Sequence, residues 1–343
     1  MRALRVIEPN VLQVTEVPAP PRRPGEVRIR VEYAGVCGSD MAIIDGSYPY
    51  SPYPLTPGHE FCGRVAEADT GSAYRVGDLV TALPVLTCGA CAGCLAGEEN
   101  HCVSLSIIGV HRDGAYAEEI VAPESLLIRV PEGLPADIAA MIEPTAVATH
   151  INRRAGVSSG QSVAVIGAGV IGNLIFQVSK ARGAGRVLAI DRVEQRLKLA
   201  RELGVDWAIN SADVDPVAFT REHLKAGFDV VFDLVGKEAT VEQAIQMARP
   251  GGVVGLIAVP HGTGKFAFNY GDAFRKELSL AFSRLYDSRD FEQAVQLLAG
   301  QRIAAAPLIS HRMGLSEGVA ASELLRNHPD TAFKILLRVA ETN

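Results

Sequence analysis

Up to about residue 145, apolar positions come in short β-like runs at 27–33, 63–67, Leu79–Ala82 and 117–121, separated by Pro and Gly. That texture predicts a β-rich domain with many turns, and Pro18, Pro20, Pro21 and Pro24 mark a loop before its first long strand. From about 160 to 285 the pattern changes. Short, wholly apolar runs predict strands at Ser162–Ile166, 186–190, Trp207–Asn210, 229–234, 253–259 and 278–282. Between them, amphipathic helices begin near Val170, Val193, Pro216 and Ala239; in the first, Val170, Ile171, Leu174, Ile175 and Val178 share one helix face. Strands apolar on both sides and alternating with helices predict a doubly wound parallel sheet, an α/β arrangement. The last 55 or so residues offer one amphipathic helix, 291–299, and a late strand, 331–338. That is too little for a third domain, so they are expected to return to the first. The expected boundaries are 1–147, 148–287 and 288–343.

A chain of 343 residues with 48% hydrophobic content can fill the two cores this pattern asks for. The formal net charge is −6 with both signs interspersed, so no cationic surface is implied for nucleic acid or an anionic membrane. The N-terminus lacks the apolar segment of a signal peptide. The most apolar stretch, 162–178, is broken by Gly167, Gly169, Gly172 and Asn173 and reads as strand, turn and helix, not as a membrane span. Six cysteines are too few for a disulfide scaffold, and four of them lie within fifteen consecutive residues. Metal ligation in a reducing compartment, hence a cytoplasmic location, is expected.

Gly167-Ala168-Gly169-Val170-Ile171-Gly172 follows one apolar strand and opens a helix. This is the setting a dinucleotide needs. The first glycine permits a tight turn and the second lets the pyrophosphate approach the backbone. The third packs helix on strand, and the helix N-terminus offers N–H groups to the phosphates. Asp191 ends the next strand, nineteen residues after Gly172, where its carboxylate accepts from the adenosine ribose hydroxyls and repels a 2′-phosphate. NAD is therefore favoured over NADP. Arg192 either softens that exclusion or stacks on adenine, and Arg196 completes the candidate cofactor set.

Cys88, Cys91, Cys94 and Cys102 supply four sulfurs from one Gly-rich lobe, enough to close a tetrahedron around zinc with no open position. Such a site is structural and stabilises a loop that has no core of its own. A second set is dispersed: Cys37 in AGVCGSD, His59 and Glu60 in PGHEFCG, and Glu143 in MIEPTAVATH. Each alone has an ordinary structural reading, and spacing does not show that they converge. Cys62 reads as a small core residue.

Taken in order, Cys37, Gly58-His59-Glu60, the four-cysteine lobe, Glu143-Pro144, the Gly167–Gly172 run and Asp191 resemble the zinc-dependent medium-chain dehydrogenase/reductase superfamily of alcohol, sorbitol and threonine dehydrogenases. The resemblance covers nearly the whole chain. It implies a GroES-like catalytic domain beside a Rossmann domain, with two zinc ions per chain, one catalytic and one structural. By the same resemblance Cys37 and His59 are ligands of the catalytic zinc, and Glu143 stands where alcohol dehydrogenases carry a second cysteine. Glu60 ligates directly or exchanges with water; which glutamate binds at rest stays open. Zinc with an open position acidifies an alcohol hydroxyl near neutral pH, and hydride then passes to the nicotinamide. Ser39 matches the hydroxyl that takes the alcohol proton, although it also reads as a turn serine capping a helix at 39–44. Many relatives end that relay with a histidine at the position that is Ala42 here, so a histidine shuttle is not expected.

The segments LSIIGVHRDGAYAEE (105–119), MIEPTAVATH (141–150), DRVEQRLKLARELGVDWAIN (191–210) and KELSLAFSRL (276–285) are similar to a narrower branch. It comprises sugar-acid dehydrogenases acting on L-galactonate or L-gulonate and a bacterial starvation-sensing relative. This implies oxidation of a secondary hydroxyl on an open-chain aldonate, with a polyol or amino alcohol as alternatives. His111 and Arg284 are the candidate substrate contacts, the guanidinium being suited to a carboxylate. Related enzymes dimerise at the edge of the second sheet, so a homodimer or homotetramer is expected. Two rivals remain at this stage: a zinc-free reductase of the same superfamily, and a non-enzymatic NAD-sensing regulator.

Overall fold

A computed structural model describes residues 1–258 and 267–340. The chain divides into two compact units, Met1–Pro144 with Asp287–Gly300 and Ala305–Asn343, and Thr145–Tyr286 with Gln301–Ala304.

The first unit is built on a seven-stranded sheet. Its order is Ile309–Gly314, Lys334–Arg338, Glu26–Val36, Glu60–Glu67, Leu79–Ala82 and Leu127–Arg129, with Glu119–Pro123 also paired to the long strand Glu26–Val36. Val27, Ile29 and Val31 alternate with Arg28 and Arg30, so one face of the long strand enters the core and the other meets polar surroundings. Two register facts matter below. Gly35 lies opposite Glu60 on one side of the long strand, and Val36 lies opposite Ile335 on the other. Three strands therefore begin or end together at one end of the sheet.

The C-terminal part holds more than its hydrophobic pattern predicts. The helix Ser288–Ala299 and the strand Lys334–Arg338 are joined by a strand Ile309–Gly314 and a helix Gly318–Asn327. The extra strand, ISHRMG, carries a polar run and shows no alternation; it exists by pairing parallel to Lys334–Arg338. The N-terminal hairpin of Arg2–Glu8 and Val11–Glu16 is likewise absent from the predicted elements.

The second unit is a six-stranded, wholly parallel sheet in the order Trp207–Asn210, Arg186–Asp191, Ser162–Ile166, Phe228–Asp233, Ala248–Leu256, Ser279–Phe282. Counted within the unit this is 3-2-1-4-5-6, the doubly wound dinucleotide-binding order. Val163, Ala164 and Val165 in the central strand are fully buried, as expected where helices cover both faces. The fifth strand begins earlier than its apolar run, because Ala248 pairs with Phe228 ahead of the glycines; the predicted end at Val259 lies outside the described residues. Among the described residues no helix is long and apolar enough to cross a membrane.

Candidate metal centre and dinucleotide loop

Cys37 sits where the long strand ends and the helix Gly38–Ile44 begins, and it is the N-cap of that helix. Ser39 is therefore not the cap; it lies exposed in the first turn. The Cys37 N–H donates to Asp40 Oδ2 at 2.9 Å, an acidic N3 residue reaching back to the cap backbone. His59 precedes and Glu60 opens the adjacent strand. The Cys37 sulfur, an imidazole nitrogen of His59 and a carboxylate oxygen of Glu60 lie within 4.8 Å of one another. Glu143, in the first turn of the helix Ile142–Arg154, is buried but stands outside that group.

The surroundings of the trio are charged and dry. Asp40 is fully buried; its Oδ1 stands 3.5 Å from His59 Nδ1 and its Oδ2 accepts from the Tyr116 hydroxyl at 2.6 Å. Burial and the Asp40 charge push the Tyr116 hydroxyl well above its ordinary pKa, so it stays a donor. Burial works against a charged His59 ring, but Asp40, with Cys37 adding to it, outweighs that and holds the proton affinity well above the usual value. A Nδ1–H turned toward Asp40 leaves Nε2 with its lone pair for an electrophile, the usual way a carboxylate orients a metal-binding histidine.

Glu60 has a partner that sequence patterning did not reveal. Lys334 opens the strand on the far side of Glu26–Val36 and is only 4% exposed. Its ammonium donates to both Glu60 oxygens at 2.7 and 2.6 Å and to the Val36 carbonyl at 3.2 Å. Burial disfavours that charge, yet the charges of Glu60 and Cys37 override it and raise the Lys334 pKa, with Glu143 adding to the effect. Gly35 makes room for the pair, since a Cβ there would come within 2.1 Å of Glu60 Oε2. Cys37, Glu60 and Glu143 thus act together on one buried ammonium. The donor set of thiolate, imidazole and carboxylate suits zinc, and a divalent cation supplies positive charge that this cluster lacks.

The second cluster is local. The sulfurs of Cys88, Cys91, Cys94 and Cys102 also lie within 4.8 Å of one another. Backbone N–H groups of Cys88 and Ser104 donate to the Cys102 sulfur at 3.3 and 3.4 Å. Those of Cys94 and Val103 pull the Cys91 thiol down to about 6, whereas desolvation and the neighbouring sulfurs push Cys94 up to about 11. The first thiolate resists the second, and a bound cation removes that resistance. Four sulfurs with no open position fit a structural zinc. Glu99 ties the lobe to the helix Ser288–Ala299, accepting from the Ser288 N–H at 2.8 Å and its hydroxyl at 3.2 Å. Cys62, by contrast, is buried, donates to the Ala136 carbonyl, and has its thiol pKa raised by that burial.

In the second unit, Gly167 has φ +103 and starts the turn, while a Cβ on Gly172 would come within 1.9 Å of the Gly167 carbonyl oxygen. Gly169 is the N-cap of the helix Val170–Ala181, and no side chain caps it; a Cβ on Gly169 would meet nothing within 4 Å. Val170 and Ile171 form the first turn, so their N–H groups have no acceptor within the helix. The Asp191 carboxylate accepts from the N–H groups of Arg192 at 2.7 Å, Val193 at 3.0 Å and Ala168 at 2.8 Å. Its fourth contact, Arg196 Nη1, is only at 3.5 Å, which leaves acceptor capacity for a ribose hydroxyl. The Arg192 side chain is exposed.

Both units match known proteins. The alcohol dehydrogenase GroES-like domain matches residues 23–132 and the zinc-binding dehydrogenase domain matches residues 170–300. Sorbitol dehydrogenase of Halalkalibacterium halodurans is 34% identical over 331 residues, 94% of each chain. The 2-dehydro-3-deoxy-L-galactonate 5-dehydrogenase of Pseudoalteromonas atlantica is 33% identical over 313 residues, 90% of this chain and 91% of that one. The crystal structure of the Escherichia coli CFT073 short chain alcohol dehydrogenase RspB, complexed with NADH, superposes with a TM-score of 0.91 at 31% identity, covering 98% of this chain and 99% of that one. The chain belongs to the zinc-dependent medium-chain dehydrogenase superfamily. It is an oxidoreductase that uses zinc and a nicotinamide dinucleotide, with a GroES-like domain and a Rossmann domain. The zinc-free reductase expected as a rival is set aside by the same matches.

For this dehydrogenase the substrate candidates lie outside both clusters and the glycine loop. His111 is half-buried; its Nδ1 accepts from the Ile107 N–H at 3.0 Å, and its ring meets the edge of Tyr48 at 6.1 Å. Arg284 is exposed just beyond the last strand of the parallel sheet. Sequence reasoning missed Asp40, Tyr116 and Lys334. Asp40 had a signal, an acidic residue three positions after a helix cap. Tyr116 and Lys334 had none, because each acts across long stretches of chain.

Two outcomes follow from this geometry. Cys91→Ser should leave one zinc per chain by elemental analysis and lower the melting temperature, with the metal at the other site retained. Lys334→Met should strip Glu60 of its counter-charge and lower the urea unfolding free energy by roughly 3–5 kcal/mol. Adding Glu60→Gln to that variant should recover most of the loss in a double-mutant cycle.

Proposed function

We propose that this dehydrogenase oxidises a secondary alcohol on an open-chain sugar acid to the ketone, with NAD as hydride acceptor. The observation that carries the reading is the convergence of Cys37 with His59 and Glu60, from two separate chain segments, into one largely buried cluster. Cys37 and His59 hold the catalytic zinc. Glu60, its charge shared with Lys334, is the resting third donor, and Glu143 is held in reserve outside the trio. Zinc supplies the electrophile that makes the substrate hydroxyl acidic at neutral pH. Ser39, exposed one turn into the helix that Cys37 caps, accepts the hydroxyl proton. With Ala42 in place of a histidine, the relay beyond Ser39 has no imidazole, and the proton would leave through the cofactor ribose and water or through another group. NAD, when bound, would supply the acceptor for the hydride that the substrate carbon gives up as the carbonyl forms.

The backbone at Gly167, Gly169, Val170, Ile171 and Gly172 binds the pyrophosphate, and Asp191, fixed by three backbone N–H groups, takes the ribose. Arg192 and Arg196 flank the adenosine end. His111 accepts at Nδ1, so a neutral ring carries its proton on Nε2 and donates to a substrate hydroxyl. Arg284 pairs with the carboxylate. The sugar-acid assignment draws on the galactonate relative; the sorbitol relative supports a polyol as the second reading. The strand Ser279–Phe282 ends its sheet, and Phe282, Tyr270 and Phe274 are each about two-thirds exposed, which supports pairing of two copies there as a homodimer, or a tetramer built from it.

The deciding experiment is NADH formation across aldonates, polyols and amino alcohols. Turnover on a C5-hydroxy aldonate with at least tenfold higher kcat/KM than on sorbitol supports the sugar acid. The reverse order supports the polyol, and no turnover on any member by zinc-replete protein overturns both substrate readings. Cys37→Ser should abolish turnover while NADH still binds, and full activity in that variant would remove Cys37 from the metal. Asp191→Ala should lower the NAD over NADP preference by an order of magnitude or more, read as the ratio of kcat/KM values.

A further inference from the structure

The Rossmann unit holds one fully buried side chain beside the cofactor loop that the reading above does not use. Asn173 follows Gly172 directly, is 0% exposed, and turns its amide back over the start of its own helix. Its Nδ2 donates to the Ala168 carbonyl at 2.5 Å and to the Gly169 carbonyl at 2.9 Å. Both neighbours are acceptors only, so the amide nitrogen, not the oxygen, must face them. The Oδ1 atom meets no donor among the described residues. The residue is thus placed for its two N–H bonds at the expense of its carbonyl.

We propose that Asn173 is a positioning residue for the dinucleotide, pinning two loop carbonyls so that the N–H groups of Gly169 and Val170 are aimed at the pyrophosphate. In a planar trans peptide the C=O of one residue and the N–H of the next point in opposite directions. Drawing the Ala168 and Gly169 carbonyls toward Asn173 therefore turns the Gly169 and Val170 N–H groups away from it. Gly169, the cap, has no side chain to take those donors, so they stay available for an anion. The strand side of the turn is pinned separately: the Gly167 N–H donates to the Ile190 carbonyl and the Ala168 N–H to Asp191, each at 2.8 Å. Asn173 supplies the matching restraint from the helix side. Without it, the Gly169 carbonyl keeps the backbone N–H of Asn173 at 2.9 Å, but the Ala168 carbonyl loses its side-chain restraint, and binding must first order that peptide.

This rests on reading residues 167–172 as the dinucleotide loop, and the test separates the two. Zinc-replete wild type, Asn173→Leu and Asn173→Asp are titrated with NADH by fluorescence, melted without cofactor, and assayed for KM of NAD and kcat. Leucine keeps the bulk and loses the donors; aspartate keeps the shape and sets a carboxylate against two carbonyls. The expected result is a Kd for NADH raised about tenfold or more in both, with KM for NAD following it and kcat at saturating NAD within about twofold of wild type. A purely structural role would lower the melting temperature and leave Kd in place. A folded variant whose Kd stays within about twofold of wild type overturns the proposal. If neither variant folds, Asn173→Ser, which keeps one short donor, must show a raised Kd; failure of all three to fold makes the amide structural and ends the proposal. Wild type that binds no NADH would instead overturn the reading of the loop itself.

Discussion

The catalytic unit depends on neutralising charge at one end of one sheet. Glu60, Asp40, Glu143 and Lys334 are each less than a tenth exposed, and burying such groups is costly unless every charge has a partner. The long strand Glu26–Val36 provides the geometry. Glu60 is delivered by the strand on one side of it and Lys334 by the strand on the other, and Val36 and Gly35 between them supply a carbonyl and an empty space. The chain then turns at Cys37 into a short helix whose first turn carries Asp40 back toward His59. A metal centre placed here inherits rigidity from the sheet, because Glu60 is itself paired and Cys37 and His59 directly adjoin paired strand ends.

The other two anion-handling features use backbone N–H groups in place of charged side chains. In the cysteine lobe, N–H donors surround sulfurs and lower the proton affinity of Cys91 before any cation arrives. In the Rossmann unit, a turn of glycines leaves the first N–H groups of a twelve-residue helix without acceptors. Both are loops whose conformation is dictated by short-range geometry, and neither relies on a hydrophobic core of its own. The lobe is tied to its unit through Glu99 and Arg289, the loop through Ile190 and Asp191.

Legibility in the sequence tracked distance along the chain. The strands Ser162–Ile166 and Trp207–Asn210 and the helix starts at Val170 and Pro216 coincide with the predicted ones, because a buried parallel strand and an amphipathic helix each write their periodicity locally. The strand Ile309–Gly314 does not, since a polar edge strand has no alternation to read. The four cysteines and the glycine loop were legible for the same local reason: their spacing is their geometry. Asn173 interrupts an apolar helix face directly behind the loop, a local mark whose meaning appears only when its amide is seen against two carbonyls.

By itself the sequence determined two kinds of domain, one thiolate lobe and one phosphate-binding turn, all of them products of contacts within a few residues. Only the tertiary structure decided that Glu60 comes within 4.8 Å of the Cys37 and His59 donor atoms, and that Lys334 stands behind it across 274 positions. The physical reason is strand register. Which side chains meet across a sheet is set by backbone pairing between distant segments, and no periodicity within either segment records that pairing.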